Sequence, residues 1–150
     1  MRLSKNFTLD EFLVSGTAER LGIDMTPRAA VVSNLQRLVT GVMQPLRDET
    51  GPIFISSGFR PLELNTAIGG SKTSAHMRGD ACDFKVLNQT PYETCQLIVD
   101  MRLPFDQVIH EFGRWIHAGV ADMLRGEKLT AYRKDGRVKY IEGILRMEDL

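Results

Sequence analysis

The stretch Ser74-Ala-His-Met-Arg-Gly-Asp-Ala-Cys-Asp83 combines an imidazole, His76, with a carboxylate, Asp83, seven positions further along the chain. An odd separation in a straight strand points two side chains to opposite faces, so these two converge only if the chain turns between them. Gly79 is placed for that turn because glycine adopts positive φ without a steric penalty. Ala81 then shares a strand face with Asp83 and leaves room beside it. The pair suits Zn²⁺, although the same residues also fit a polar surface loop.

A third candidate ligand, His117, lies downstream within residues 105–120. This segment resembles two short strands joined near Gly113, and His117 falls on the second of them. Three protein ligands with an open fourth position are typical of a catalytic zinc site, not of a structural one. We therefore predict that His76, Asp83 and His117 bind one Zn²⁺.

Peptide hydrolysis at zinc also needs a group that accepts and returns a proton, and Glu111 and His110 are the candidates. Directly opposed side chains of an antiparallel pair lie on the same face. A loop of residues 113–115 sets Glu111 opposite His117, whereas a loop of residues 113–114 sets His110 there. The turn residues leave both loops open, and the usual use of a carboxylate as base favours Glu111.

Arg60 is the one cation that emerges from the end of the predicted strand Ile53–Ser57, just before the metal-binding stretch. A guanidinium in this place would bind a substrate carboxylate or a developing oxyanion. Pairing with a nearby structural acid fits the sequence equally well, so both interpretations stay open at this point.

The remaining patterns predict an α+β fold. Apolar residues recur at helical spacing over Pro27–Thr50, with a kink or early end expected at Pro45. Pro91–Met101 begins with a capping box and forms a second helix. Asp135-Gly136 between β-rich runs predicts a hairpin, which is structural or forms a rim of the cleft. Helices come first and paired strands follow, which favours helices packed on a small antiparallel sheet.

The composition is that of one domain spanning residues 1–150. Hydrophobic residues make up 43% of the chain, and 19 basic side chains balance 19 acidic ones, so nothing in the net charge points to nucleic acid or a membrane surface as partner. Cys82 is expected to be a small buried residue without a ligand role. The N-terminus lacks the apolar core of a signal peptide, so we expect synthesis in the cytoplasm.

Several motifs together resemble peptidase family M15, the zinc D-Ala-D-Ala carboxypeptidases and L-alanyl-D-glutamate endopeptidases. Residues 74–83 match the family signature S-x-H-x-x-G-x-A-x-D, and Trp-Ile-His at 115–117 is similar to its C-terminal ligand motif. Ser-Gly-Phe-Arg at 57–60 resembles the family's S-G-[YF]-R element. The segments 6–12 and 22–24 look like the short phage and prophage branch.

The resemblance implies the Hedgehog/DD-peptidase fold, one Zn²⁺ and cleavage of peptidoglycan peptides. Carried over onto this chain, it makes His76, Asp83 and His117 the metal ligands. It also places Arg60 and Ser74 at the substrate, with Arg60 as a carboxylate or oxyanion contact.

One position departs from the family pattern. Many members carry the catalytic acid three positions before the last histidine, where this chain has Arg114, and arginine cannot act as a base. The Hedgehog signalling domain shares the fold and has its glutamate six positions before the corresponding histidine. Glu111 stands at that spacing from His117, so the resemblance implies that Glu111 is the catalytic acid and base.

These observations predict a monomeric zinc peptidase that cleaves peptidoglycan stem peptides as a D,D-carboxypeptidase or an L-Ala-D-Glu-type endopeptidase. A phage or prophage origin is expected. The enzyme would be made in the host cytoplasm and act on the cell wall after release or as a virion component. The alternative hypothesis is a zinc-stabilised virion structural or wall-binding module without catalysis, which the arginine at position 114 motivates. A metal-free globular domain is the third.

Overall fold

The computed structural model describes all 150 residues as an α+β fold around one six-stranded sheet. The strand order is β1-β2-β4-β3-β5-β6. The strands are β1 Ile53–Ser57, β2 Ala81–Val86, β3 Gln107–Glu111, β4 Trp115–Gly119, β5 Glu127–Lys134 and β6 Arg137–Glu142. The predicted fold class is confirmed, and the two strands that carry Asp83 and His117 are neighbours in the sheet.

The sheet is not entirely antiparallel, and the prediction was wrong at one pair. Strands β3 and β5 run parallel, with Gln107 beside Glu127, while the other pairs are antiparallel. The buried carboxylate of Asp106, just before β3, accepts hydrogen bonds from the backbone N–H of Arg125 at 2.9 Å and from its Nη2 at 2.7 Å. This charge-assisted contact holds the start of β5 beside the start of β3, so the two strands run parallel from this point.

Five α-helices precede or separate the strands. They are α1 Gly16–Leu21, α2 Ala29–Leu38, α3 Gln44–Thr50, α4 Leu62–Ala67 and α5 Pro91–Asp100, with short 3₁₀ turns at Leu9–Phe12, Ala75–Arg78 and Met147–Asp149. None of them has the length and apolar character needed to span a membrane.

The long predicted helix is interrupted before Pro45, as expected. A π-helical turn at Val39–Met43 joins α2 to α3, and the N–H of Gln44 bonds to the carbonyl of Val39. Proline has no N–H for the helical ladder, so widening the preceding turn lets the chain continue without a clash. The helical side chains with apolar periodicity are buried: Val31, Leu35, Leu38, Val42 and Leu46.

The two faces of the sheet differ in what they contact. One face packs against α2, α3 and α5 and contributes fully buried side chains such as Phe84 and Ile116. Cys82 lies on this face and is completely buried, as predicted. The other face is open and bears Asp83 and His117. The sheet thus separates an apolar core from a polar cleft.

Candidate metal centre and cleft

His76 and Asp83 are brought together by the turn expected at Gly79. His76 lies in the 3₁₀ turn Ala75–Arg78, and Gly79 follows with φ of +77° before β2 begins. A Cβ at Gly79 would meet the carbonyl oxygen of Val31 at 2.7 Å, so both the backbone conformation and the packing require glycine here. The turn directs His76 back towards the strand that carries Asp83.

His117 completes the cluster because Asp83 and His117 are directly paired across β2 and β4. His117 Nδ1 lies 3.1 Å from Asp83 Oδ1, and His76 Nε2 lies 3.3 Å from the same oxygen. The two ring nitrogens are 3.2 Å apart. One atom from each of the three side chains therefore points towards a common centre.

The three side chains fit a tetrahedral metal ion. Zinc bonds of about 2.0–2.2 Å place tetrahedral ligand atoms roughly 3.3–3.6 Å apart, close to the separations seen here. The Nδ1–H of His76 donates to the carbonyl oxygen of Gly58 at 2.8 Å, which leaves the Nε2 lone pair free for a metal. Two imidazole nitrogens and a carboxylate oxygen are donors that Zn²⁺ accepts well.

The electrostatics of the cluster also suit a cation. Burial favours the neutral form of Asp83, but its close contacts with His117 and His76 outweigh burial and hold the pKa of this carboxyl below its usual range. Burial lowers the pKa of His76 below that of a free imidazole. At neutral pH the cluster thus presents an ionised carboxylate and a neutral His76, the forms that bind metal.

Arg60 lies beside this cluster and contacts one of its members. Its Nη2 is 3.7 Å from Asp83 Oδ2, the oxygen that does not face the histidines, and its backbone N–H bonds to the carbonyl of His76. Arg60 thus pairs with an acid, as one of the two interpretations expected, and this acid, Asp83, is itself a candidate metal ligand. The Nε–H of Arg60 is buried without a hydrogen-bond partner, and the side chain lines the cleft.

The β3–β4 hairpin has neither of the two loops considered from the sequence. Glu111 pairs with Trp115 and Ile109 pairs with His117, so the loop consists of residues 112–114. Both predicted registers, which set Glu111 or His110 opposite His117, were wrong. The reason is that Phe112 adopts φ of +59°, which lets the turn begin one residue before the glycine.

Strand alternation nevertheless distinguishes Glu111 from His110. Glu111 is on the cleft face, diagonal to His117, and lines the same cavity. His110 points to the opposite face, where its Nδ1 lies 2.8 Å from the carbonyl oxygen of Leu145. Burial, and then the negative charge of Asp83, raise the pKa of Glu111 to about 7. A carboxyl that titrates near neutrality can both accept and return a proton, and its assignment as the catalytic group stays a prediction.

Ser74 lies at the edge of the cleft and has a local structural contact. Its hydroxyl accepts a hydrogen bond from the backbone N–H of His76 at 3.3 Å, which caps the 3₁₀ turn. The side chain also lines the cleft, so a contact with substrate stays a prediction.

Tyr140 is a cleft residue that the sequence did not indicate. It lies on β6, and its neighbours along one row of the sheet are Ala131 on β5 and then Glu111 on β3. Burial and the negative charges of Glu111 and Asp83 raise the pKa of its phenol. The row depends on the parallel pairing of β3 with β5, which no local pattern in the sequence signals.

Comparison with known proteins agrees with this site. A family model described as Peptidase M15 matches residues 5–119, which include the three candidate metal ligands, Glu111 and Arg60. No curated protein matches the chain. Since the family model covers most of the sequence, the chain belongs to peptidase family M15, a family of metal-dependent peptidases.

Proposed function

We propose that this protein is a zinc peptidase that cleaves the stem peptides of peptidoglycan. The convergence of His76, Asp83 and His117 within 3.3 Å of one another, in a cleft that also holds Glu111, is the observation that carries the proposal. The membership in a family of metal-dependent peptidases supports the same reaction class.

The proposed chemistry assigns distinct tasks to the cleft residues. A bound zinc ion would supply Lewis acidity towards the scissile carbonyl and lower the pKa of the attacking water. Glu111 accepts the proton of that water and delivers it to the departing amine. Arg60 presents its guanidinium to the oxyanion or to a substrate carboxylate, and Ser74 contacts the peptide at the edge of the cleft.

The wall peptide as substrate and the phage setting rest on the motifs of the sequence. The signature at 74–83 and the element at 57–60 resemble those of peptidase family M15, and the segments 6–12 and 22–24 resemble its short phage and prophage branch. We propose a monomeric enzyme of cell-wall lysis or entry, which reaches the wall after release from the host cytoplasm or as part of a virion. It acts as a D,D-carboxypeptidase or as an L-Ala-D-Glu-type endopeptidase.

Zinc content measured together with mass spectrometry of digested peptidoglycan tests this proposal. One zinc per chain and new peptide termini are the expected result, and the fragment masses identify the bond that is cut. One zinc with unchanged wall fragments would favour the non-catalytic zinc-stabilised module. Failure to bind zinc at all would contradict both functions.

A further inference from the structure

A second pocket adjoins the cleft at the tip of the β3–β4 hairpin and has a different chemical character. We call it the hairpin pocket; its volume is about 460 Å³. Three aromatic and three cationic side chains line it, and no aspartate or glutamate does: Phe112, Trp115, Tyr132, Arg114, Arg133 and Lys134. Its size is within the range of small-ligand sites.

The aromatic side chains of the hairpin pocket are held in place by one another. The rings of Phe112 and Trp115 lie 5.5 Å apart at an interplanar angle of 58°. The guanidinium carbon of Arg133 lies 5.1 Å from the centre of the Phe112 ring. Phe112 also has φ of +59°, a conformation that costs about 1 kcal/mol or more for a residue with a side chain. The surrounding structure therefore holds the Phe112 ring at the pocket despite the local backbone strain.

The cations of the hairpin pocket have no acidic partners. Arg114, Arg133 and Lys134 are exposed, and none forms an ion pair with a carboxylate. Other arginines near the cleft are paired, as Arg78 is with Asp80 and Arg125 with Asp106. The unpaired charges favour an anionic ligand, since arginine binds carboxylates in a bidentate geometry.

Trp115 connects this pocket to the proposed catalytic cleft. Its side chain lines both cavities. Tyr132, Arg133 and Lys134 come from β5, outside the residues 5–119 that match the family model. The segment after the matched region therefore extends the cleft beyond the metal centre.

We propose that the hairpin pocket is a second substrate subsite that binds a peptide-free, carboxylate-bearing sugar of the wall glycan while the peptide attached to a neighbouring sugar occupies the cleft. The aromatic rings offer flat apolar surface to the C–H faces of sugar rings, and the cations bind the acidic substituents. This inference rests on the proposed function and sharpens its substrate. The enzyme prefers stem peptide that is still attached to glycan over free peptide.

The test compares two substrates with the zinc-loaded full chain: a free stem peptide, and the same peptide on a soluble glycan fragment that also contains peptide-free, carboxylate-bearing sugars. Lys134→Glu reverses one charge of the pocket on an exposed side chain and leaves the contact of Arg133 with Phe112 in place. Lys128→Glu is the matched control, because Lys128 is exposed on the same strand and lines neither the hairpin pocket nor the cleft. We expect Lys134→Glu to lower kcat/KM about tenfold on the glycan-linked substrate only. Lys128→Glu should change neither value by more than about twofold.

An equal loss of kcat/KM on both substrates, or no loss on either, would contradict the proposed subsite. If the unmutated protein cleaves neither substrate, the proposed function fails, and calorimetric titration of the glycan fragment then decides the subsite by itself. Binding of the fragment that Lys134→Glu weakens about tenfold and Lys128→Glu retains supports the subsite. Competition by a single-stranded oligonucleotide at the same concentration of charge as the fragment would overturn it, because the pocket would then bind any polyanion.

Discussion

The two β-hairpins beside the cleft both reverse the chain through residues with positive φ, but they use different residue types there. The β5–β6 hairpin turns at Asp135-Gly136, whose φ values of +54° and +74° belong to the type I′ turn that this dipeptide favours. The β3–β4 hairpin instead places Phe112 at φ of +59° before Gly113 at +70°. The hairpin that carries Glu111 and His117 departs from turn preference, while the hairpin at the sheet edge follows it.

The positive φ of Phe112 has a structural consequence. Because the loop begins at Phe112, its ring packs on Trp115, and Trp115 pairs with Glu111 in the sheet. Local strain of this kind concentrates at functional sites, where surrounding contacts compensate for it. We therefore expect substitutions in the β3–β4 turn to affect hydrolysis, and those in the β5–β6 turn to affect stability alone.

The largest effect should come from Glu111→Gln, compared with His110→Gln one residue earlier. Removing the proton acceptor from the cleft should lower kcat by about 10³-fold while zinc stays bound. His110→Gln alters the opposite face and should retain hydrolysis within about threefold, at some cost in stability from the contact with Leu145. Peptide-release assays and zinc analysis of both variants measure the difference.

Full hydrolysis by Glu111→Gln would show that another group transfers the proton.

The same variant also has an expected effect on stability that can be measured without an activity assay. Folding raises the pKa of Glu111 from 4.5 to about 7, so the folded metal-free protein binds more protons than the unfolded chain between those values. Its stability therefore falls as pH rises through that window. Glu111→Gln should remove this loss, about 2 kcal/mol at pH 8 after allowance for partial solvent exposure, in urea denaturation.

Alanine at the two turn glycines compares the hairpins directly. Gly136→Ala places a Cβ in open space at φ of +74°, so only the backbone penalty of about 1 kcal/mol applies and hydrolysis should be unchanged. At Gly113 the added Cβ would also meet Met147 Cγ at 2.9 Å. We expect a loss of about 2 kcal/mol there, together with a severalfold lower kcat/KM, by urea denaturation and peptide assay. Equal effects of the two substitutions would contradict the functional distinction between the hairpins.

The two hairpins also show which structural features can be predicted from the sequence. Asp135-Gly136 encodes its own turn, and Gly79 is required by its local conformation, so the hairpin and the convergence of His76 with Asp83 follow from short-range chemistry. The register of β3–β4 does not, because it depends on the positive φ of Phe112, whose ring contacts Arg133, a residue of the neighbouring strand β5 that is remote in the sequence. The parallel pairing of β3 with β5 likewise depends on Asp106 binding Arg125, and β4 lies between these two residues in the sequence.

The pH dependence of hydrolysis should have an acidic limb due to Glu111. A general base acts only when deprotonated, so kcat/KM of the zinc enzyme falls about tenfold for each pH unit below the pKa of Glu111. In the metal-free protein that pKa is about 7, and the positive charge of a bound metal ion lowers it. We therefore expect the limb below pH 7 in a pH–rate profile. An acidic limb that persists unchanged in the residual activity of Glu111→Gln would assign it to a different group.

The smallest effect is expected at Tyr140, the one cleft residue supplied by the β5–β6 hairpin. Its raised pKa keeps the phenol neutral and able to donate a hydrogen bond into the cleft. Tyr140→Phe removes that donor from a side chain that is 58% exposed, so Tm should not change while kcat/KM falls about threefold. A threefold loss would mean that even the hairpin with the regular turn takes part in substrate contact through the row Glu111, Ala131 and Tyr140. An unchanged kcat/KM would instead confine the β5–β6 hairpin's part in catalysis to supporting the sheet edge at the cleft.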